Sequence, residues 1–210
     1  HDALRRAGTA LHRAKQAGGG QAAFFEQGMG EAAEQRFRVE RELRHAIGAG
    51  ELRLHLQSQV DVSGQVTGAE VLVRWQHPRD GLVAPGVLIP VAEESDLIVS
   101  LGEWVLAHAC ALLAQPVFRE RRLRLSVNLS ARQFRQAGFV GQLRAVLAAT
   151  GADPRLLTLE VTEGLVIDDF DDAVAKMRAL AALGVDMSLD DFGTGYSSLA
   201  YLKRLPIQEI

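Results

Sequence analysis

The chain has almost no cysteine. Its one thiol, Cys110, lies inside an apolar helical stretch of the 210 residues, which excludes a disulfide framework and argues against thiolate zinc sites. It also has no surplus of positive charge: 23 Lys and Arg against 26 Asp and Glu leave a net charge of −3 and a pI near 6.1. That balance argues against a basic surface for polymeric nucleic acid, yet leaves room for a small anion held through metal. No apolar run approaches a membrane span and no signal peptide opens the sequence, so a cytoplasmic, reducing compartment is expected, with any membrane-bound sensor upstream. What is present is an ordinary globular composition, 48% hydrophobic, long enough to bury a real core.

Four strand-like segments carry the most information. In Ala69-Glu70-Val71-Leu72-Val73-Arg74, Leu123 to Leu129, Leu157 to Thr162 and Met187 to Asp190, apolar residues alternate with polar ones. Glu70, Asn128, Glu160 and Asp190 share the polar parity and come late in their segments. Long amphipathic stretches separate them, which is the rhythm of a β/α barrel with its site at the C-terminal strand ends. Asn128 to Glu160 is 32 residues and Glu160 to Asp190 is 30, about one strand-helix unit each, whereas the 58 from Glu70 to Asn128 leave room for more than one helix. Edge strands with water-washed outer faces give the same parity, so that alternative stays open on pattern alone. If the acids do converge, they repel one another without a cation.

The chain divides into residues 1–30, 31–50 and 51–210. The first part holds a helix with Leu4, Ala7, Leu11 and Ala14 on one face, then Gly18-Gly19-Gly20. No strand precedes these glycines and no Lys-Ser/Thr follows them, so they read as a flexible turn rather than a phosphate cradle. The second part is a charged connector helix with a narrow stripe of Phe37, Leu43 and Ile47. In the third, stripes of Leu97, Leu101, Trp104, Val105, His108 and Leu112, of Phe139, Leu143, Val146 and Leu147, and of Val174, Met177, Leu180 and Ala181 predict core-facing helices, with His108 as a packed core or rim histidine.

Asp190 and Asp191 are neighbours, and period two places neighbours on opposite faces, so both serve one site only if the strand ends there. Gly193 and Gly195 supply that turn, and Ser197 or Ser198 can cap a helix after it. The Asp191-Phe192-Gly193 triplet lacks the other protein-kinase motifs. A capped loop with acids at its rim accounts for the same residues. Oxygen-only ligands suit Mg²⁺ or Mn²⁺ rather than zinc or copper. Two such ions about 3.5–4 Å apart activate water for in-line attack on phosphorus, so phosphodiester hydrolysis is the expected reaction class.

Leu56-Gln57-Ser58-Gln59-Val60-Asp61, Gly68 to Pro78, Ile89-Pro90-Val91-Ala92-Glu93-Glu94, Val127-Asn128-Leu129-Ser130, Leu159-Glu160-Val161-Thr162-Glu163 and Asp190 to Leu199 together resemble the successive motifs of the EAL domain. That resemblance implies a TIM-like (β/α)8 barrel that opens cyclic di-GMP to linear pGpG with two Mg²⁺ or Mn²⁺ ions. It implies Glu70, Asn128, Glu160 and Asp190 as ligands of the first metal and Asp191 as ligand or bridge to the second, with Glu70, Asp190 and Asp191 catalytic. Gln57, Leu72 and Arg74 would bind the dinucleotide, Arg74 through phosphate. Glu163 would anchor the loop coupling the metals to a dimer interface, so a homodimer through the barrel is expected. Ala10-Leu11-His12-Arg13-Ala14-Lys15-Gln16-Ala17-Gly18 further resembles the end of a GGDEF domain, implying an upstream GGDEF or sensor domain in the same chain.

Two positions depart from the family pattern: Val71 stands where its namesake alanine does, and Ser58 follows Gln57 in place of proline. The family continues beyond Ile210 with a lysine that assists the attacking water. The expectation is therefore an EAL-type α/β barrel truncated after about five to six units behind an N-terminal helical segment, with the part ending at Ile210 inactive alone. A catalytically silent module that binds cyclic di-GMP or relays a signal is the alternative.

Overall fold

A computed structural model of the chain describes residues 2–16, 19–162, 164–165, 169–190 and 205–207, which form two compact units divided at His45 and Ala46. The first unit contains helix α1 (Asp2–Gln16) and most of helix α2 (Gln27–Ala49). Gly19 and Gly20 both take left-handed φ, +71° and +66°, and the Gly19 amide bonds back to Ala14 O at 3.0 Å, so these glycines do form a turn. The covered faces match the expected stripes only in part, at Ala14 and Leu43. Leu4 and Leu11 stay exposed at 77% and 56% while Ala10 and Ala14 are buried, and in α2 Phe37 is exposed while Val39, Leu43 and Ala46 are buried. Periodicity marks which residues share a face, but not which face a neighbour covers.

The second unit opens with a hairpin. Strand β1 (Leu52–Val60) runs antiparallel to β2 (Val66–His77), and the turn between them is built on Asp61. Its Oδ1 accepts from Ser63 Oγ at 2.6 Å, Ser63 N at 2.8 Å and Gln65 N at 3.0 Å, while Gly64 takes φ +79°. The Ser63 hydroxyl, then the backbone amides, hold the Asp61 carboxyl below its ordinary range. Short strand β3 (Gly81–Val83) folds back on the end of β2.

Strands β4 (Arg124–Asn128), β5 (Leu157–Thr162) and β6 (Asp186–Asp190) extend the sheet in the order β1-β2-β4-β5-β6, with β3 beside β2. From β2 through β4 and β5 to β6, every pairing among the described residues is parallel. The 58-residue interval from Glu70 to Asn128 holds α3 (Pro85–Glu94), α4 (Leu97–Leu113) and α5 (Pro116–Arg121). Helices α6 (Ala131–Phe134) and α7 (Phe139–Thr150) and a 3-10 turn (Pro154–Leu156) join β4 to β5, and α8 (Phe170–Leu183) precedes β6. Strand-helix alternation thus builds the expected mixed α/β sheet, parallel from β2 to β6 and opened by an antiparallel hairpin.

The strand parity resolves as expected. Ala69, Val71, Val73 and Trp75, Leu125 and Val127, Leu157, Leu159 and Val161, and Met187 and Leu189 are all buried on the helix side. Leu88, Leu101, Val105, Leu143, Val174, Met177 and Leu180 are among the helix residues buried against it. Val71 is 4% exposed and fits this layer, so the extra methyl groups relative to alanine are accommodated. His108 is no core residue: it is exposed, stacked on Trp104 at 3.8 Å between ring centroids, with Nδ1 2.8 Å from Trp104 O. Trp104 takes the half-buried edge of α4, and one turn on, its partner reaches water.

Cys110 is fully buried in α4, and loss of hydration for the thiolate pushes its pKa up to about 11. The native protein should therefore not react with Ellman's reagent at neutral pH and should release one equivalent in guanidinium. Fast modification of the native chain would contradict the packing of α4.

Candidate active site

The face of the sheet opposite the helices carries the polar parity. Pairing places Gln57 beside Glu70 across the hairpin, Glu70 beside Ser126, Asn128 beside Glu160, and Thr162 beside Asp190. Residues in register share a face, so Glu70, Asn128, Glu160 and Asp190 lie along one diagonal that climbs toward the C-terminal strand ends. Two of them touch: Asn128 Nδ2 donates to Glu70 Oε1 at 2.7 Å. Glu70 and Glu160 are half-buried, whereas Asn128 and Asp190 are exposed. Asp191 and Glu163 lie outside the described residues.

The floor beneath this diagonal is tied together. Arg124, at the start of β4, forms an ion pair with Asp186 at the start of β6 and donates to Thr158 Oγ1 of β5 at 3.1 Å. Gln59 Nε2 reaches Ser126 Oγ at 3.5 Å. Ser126 and Thr158 are 3% and 2% exposed, so their hydroxyls need these partners. Polar cross-links under the acids fix the spacing of β4, β5 and β6, and hence of the residues above them.

Leu72 and Arg74 continue the Glu70 parity up β2, both half-buried. Arg74 Nη1 donates to Val73 O at 3.0 Å. Directly opposite across the hairpin stands Arg53, whose Nη1 reaches Gly50 O and Leu52 O, each at 2.7 Å. Like charges opposed on one sheet face destabilise the pair unless an anion lies between or beside them. His55 faces Leu72 in the same way. Neither Arg53 nor His55 was singled out from sequence, although counting back by twos from Gln57 reaches both.

The chemistry of this donor set fits a hard divalent cation. Each of Glu70, Asn128, Glu160 and Asp190 offers oxygen, and none offers sulfur or imidazole. The Glu70 and Asn128 end groups already meet, although among the described residues no three His, Cys, Asp or Glu side chains form a group that could hold a metal ion.

The EAL domain family model matches residues 40–210. The chain belongs to the EAL domain family. It is 41% identical over 220 residues to the bifunctional diguanylate cyclase/cyclic di-GMP phosphodiesterase MucR of Pseudomonas aeruginosa, covering 100% of this chain and 31% of that protein. It is 40% identical over 209 residues to the cyclic di-GMP phosphodiesterase NbdA of the same species, covering 99% of this chain and 27% of that one. The chain thus spans a third or less of these relatives. Among solved structures, the MucR phosphodiesterase in complex with c-di-GMP superposes with a TM-score of 0.78 at 44% identity, over 82% of this chain and 70% of that one. EAL enzyme Bd1971 bound to cAMP and cyclic-di-GMP gives 0.77 at 30% identity, over 98% and 54%. The EAL architecture read from the strand motifs is thereby shown.

Proposed function

We propose that this EAL domain is a cyclic di-GMP phosphodiesterase that hydrolyses its substrate to linear pGpG. The observation that carries the reading is the contact between Asn128 and Glu70 at the low end of a diagonal continued by Glu160 and Asp190, in a family whose solved members include complexes with this nucleotide. Glu70, Asn128, Glu160 and Asp190 would hold one Mg²⁺ or Mn²⁺, and Asp191 would join a second. Held there, such ions would supply a water of lowered pKa and offset negative charge on the phosphodiester oxygens.

The chain's own residues do the rest. Arg74 pairs with a nonbridging phosphate oxygen, a role its planar fork suits, and Gln57 and Leu72 position the dinucleotide against the sheet. Water adds to phosphorus, the P–O3′ bond breaks, and the proton from water ends on the departing 3′ oxygen. One ring-opening gives a 5′-phosphorylated linear product. Glu163 anchors the loop that ties this site to a homodimer interface. Upstream, residues 1–30 are the tail of a GGDEF-like domain and 31–50 its connector, in keeping with a bifunctional cyclase/phosphodiesterase among the relatives.

The test uses the full-length protein with cyclic di-GMP and chromatographic separation of pGpG. Turnover should need added Mg²⁺ or Mn²⁺, stop in excess EDTA, and be inhibited by Ca²⁺, which takes a looser coordination. Unchanged turnover in EDTA would remove the metal reading.

A further inference from the structure

The chain that leaves β4 is held at every step. Leu129, next after Asn128, donates its amide to Glu160 O at 2.8 Å. Ser130 then caps α6, its hydroxyl accepting from the Gln133 amide at 3.1 Å. Only these two residues separate Asn128 from α6, and both are bonded, so a displacement of α6 passes to Asn128 with little slack.

A helix of four residues cannot hold its own position. Its neighbours do so through polar contacts. Gln133 is 2% exposed and lies against Gly102 of α4, where an added Cβ would overlap Oε1 and stand 2.5 Å from Cδ and 2.8 Å from Nε2. The missing side chain at 102 is the notch that admits the amide. From α8, Lys176 reaches across to donate to Phe134 O at 2.9 Å, pairs with Asp172 at 2.8 Å, and stands 5.6 Å from the Phe134 ring centroid. Its side chain is only 11% exposed. On the surface Arg132 donates to Ser95 O at 3.1 Å and Asp96 Oδ1 at 3.2 Å.

Burying an ammonium and an amide costs free energy that leucine at either position would not. Leucine could cover α6, but it could not fix its register, because apolar contact is not directional. We propose that Gln133 in the Gly102 notch and Lys176 on the Phe134 carbonyl are positioning residues that set the Asn128 amide against Glu70 and thereby tune the divalent-cation affinity of the rim. This rests on the cation reading given above.

The test is made in the full-length protein with Mn²⁺ as probe, free ion being followed by electron paramagnetic resonance alongside cyclic di-GMP turnover. Gly102→Ala and Lys176→Met should weaken Mn²⁺ binding by about 10-fold or more, the usual loss when the groups orienting a metal ligand are removed. They should lower kcat at fixed Mn²⁺ and leave KM for the nucleotide within about twofold. Val105→Ala, at a buried position on the same helix α4, should lower the melting temperature and leave Mn²⁺ affinity unchanged.

Gly102→Ala discriminates best. Alanine favours a helix interior over glycine, so weaker Mn²⁺ binding without a fall in melting temperature reports displacement of Gln133 rather than loss of α4. Adding Gln133→Ala relieves the overlap but releases α6, so the double variant should match Gln133→Ala alone. Wild-type Mn²⁺ affinity in Gly102→Ala and Lys176→Met, or an equal loss in Val105→Ala, would overturn the proposal. A wild-type protein that binds no Mn²⁺ would instead remove the cation reading on which it stands.

Discussion

Replacing Glu70 with alanine should lower cyclic di-GMP hydrolysis by at least ~10²-fold while leaving the fold intact. Glu70 is half-buried on the inner face of β2, and its neighbours Ala69 and Val71 pack on the other face, so alanine removes a charge without opening the core. It also strips Asn128 of the carboxylate to which it donates at 2.7 Å. Two of the oxygens proposed for one cation are thus disturbed together. Arg74→Ala should behave differently. Arg74 lies on the same face four residues on, its guanidinium bonded to Val73 O, and is assigned to phosphate rather than to metal or nucleophile. Its loss should raise the dissociation constant for the nucleotide more than it lowers kcat. Calorimetric titration beside steady-state rates separates the two. An Arg74→Ala protein with wild-type affinity would refute the phosphate assignment, and a Glu70→Ala protein within tenfold of wild-type turnover would refute the metal assignment.

The strand faces were legible because each inner strand alternates cleanly. Val71, Val127, Leu159 and Leu189 could only be on the side opposite Glu70, Asn128, Glu160 and Asp190, and burial of the apolar set follows. The long interval before Asn128 was legible as more than one helix for a simple geometric reason, since a single parallel crossover does not consume it. The direction of β1 was written in Asp61, Ser63 and Gly64, whose side-chain and left-handed geometry make a tight reversal, yet the apolar alternation of Leu52, Leu54 and Leu56 is the same for either direction. The amphipathic stripe of α1 misled for a related reason: Leu4 and Leu11 share a face, but only packing decides whether that face is covered. The notch at Gly102 was beyond reach, because it joins residues 31 positions apart whose fit depends on how α4 and α6 meet. Asp191 and Glu163 remain assigned from the family motifs.

Gly68→Ala should destabilise the domain, although alanine is ordinarily the better residue inside a strand. Gly68 sits in register with Arg124 where β2 and β4 begin their parallel pairing, and a Cβ there would stand 2.5 Å from Arg124 O and 3.2 Å from its carbonyl carbon. Those are backbone atoms and cannot turn aside as a side chain would. The two strands must therefore separate, at a cost of about 1–3 kcal/mol, the usual range for overpacking. For a chain of this size each kcal/mol lowers Tm by about 2–4 °C. Separation also reaches the site. Glu70 lies two residues along β2 from Gly68, and Asn128 four along β4 from Arg124, so the hydrogen bond between them spans the seam that the methyl group would open. Thermal melting and hydrolysis should consequently fall together in Gly68→Ala, whereas Glu70→Ala loses hydrolysis with little change in melting. A Gly68→Ala protein that melts at or above the wild-type temperature would show that β2 and β4 can relax around the new methyl group, and the close approach of their backbones would then not be what holds Glu70 against Asn128.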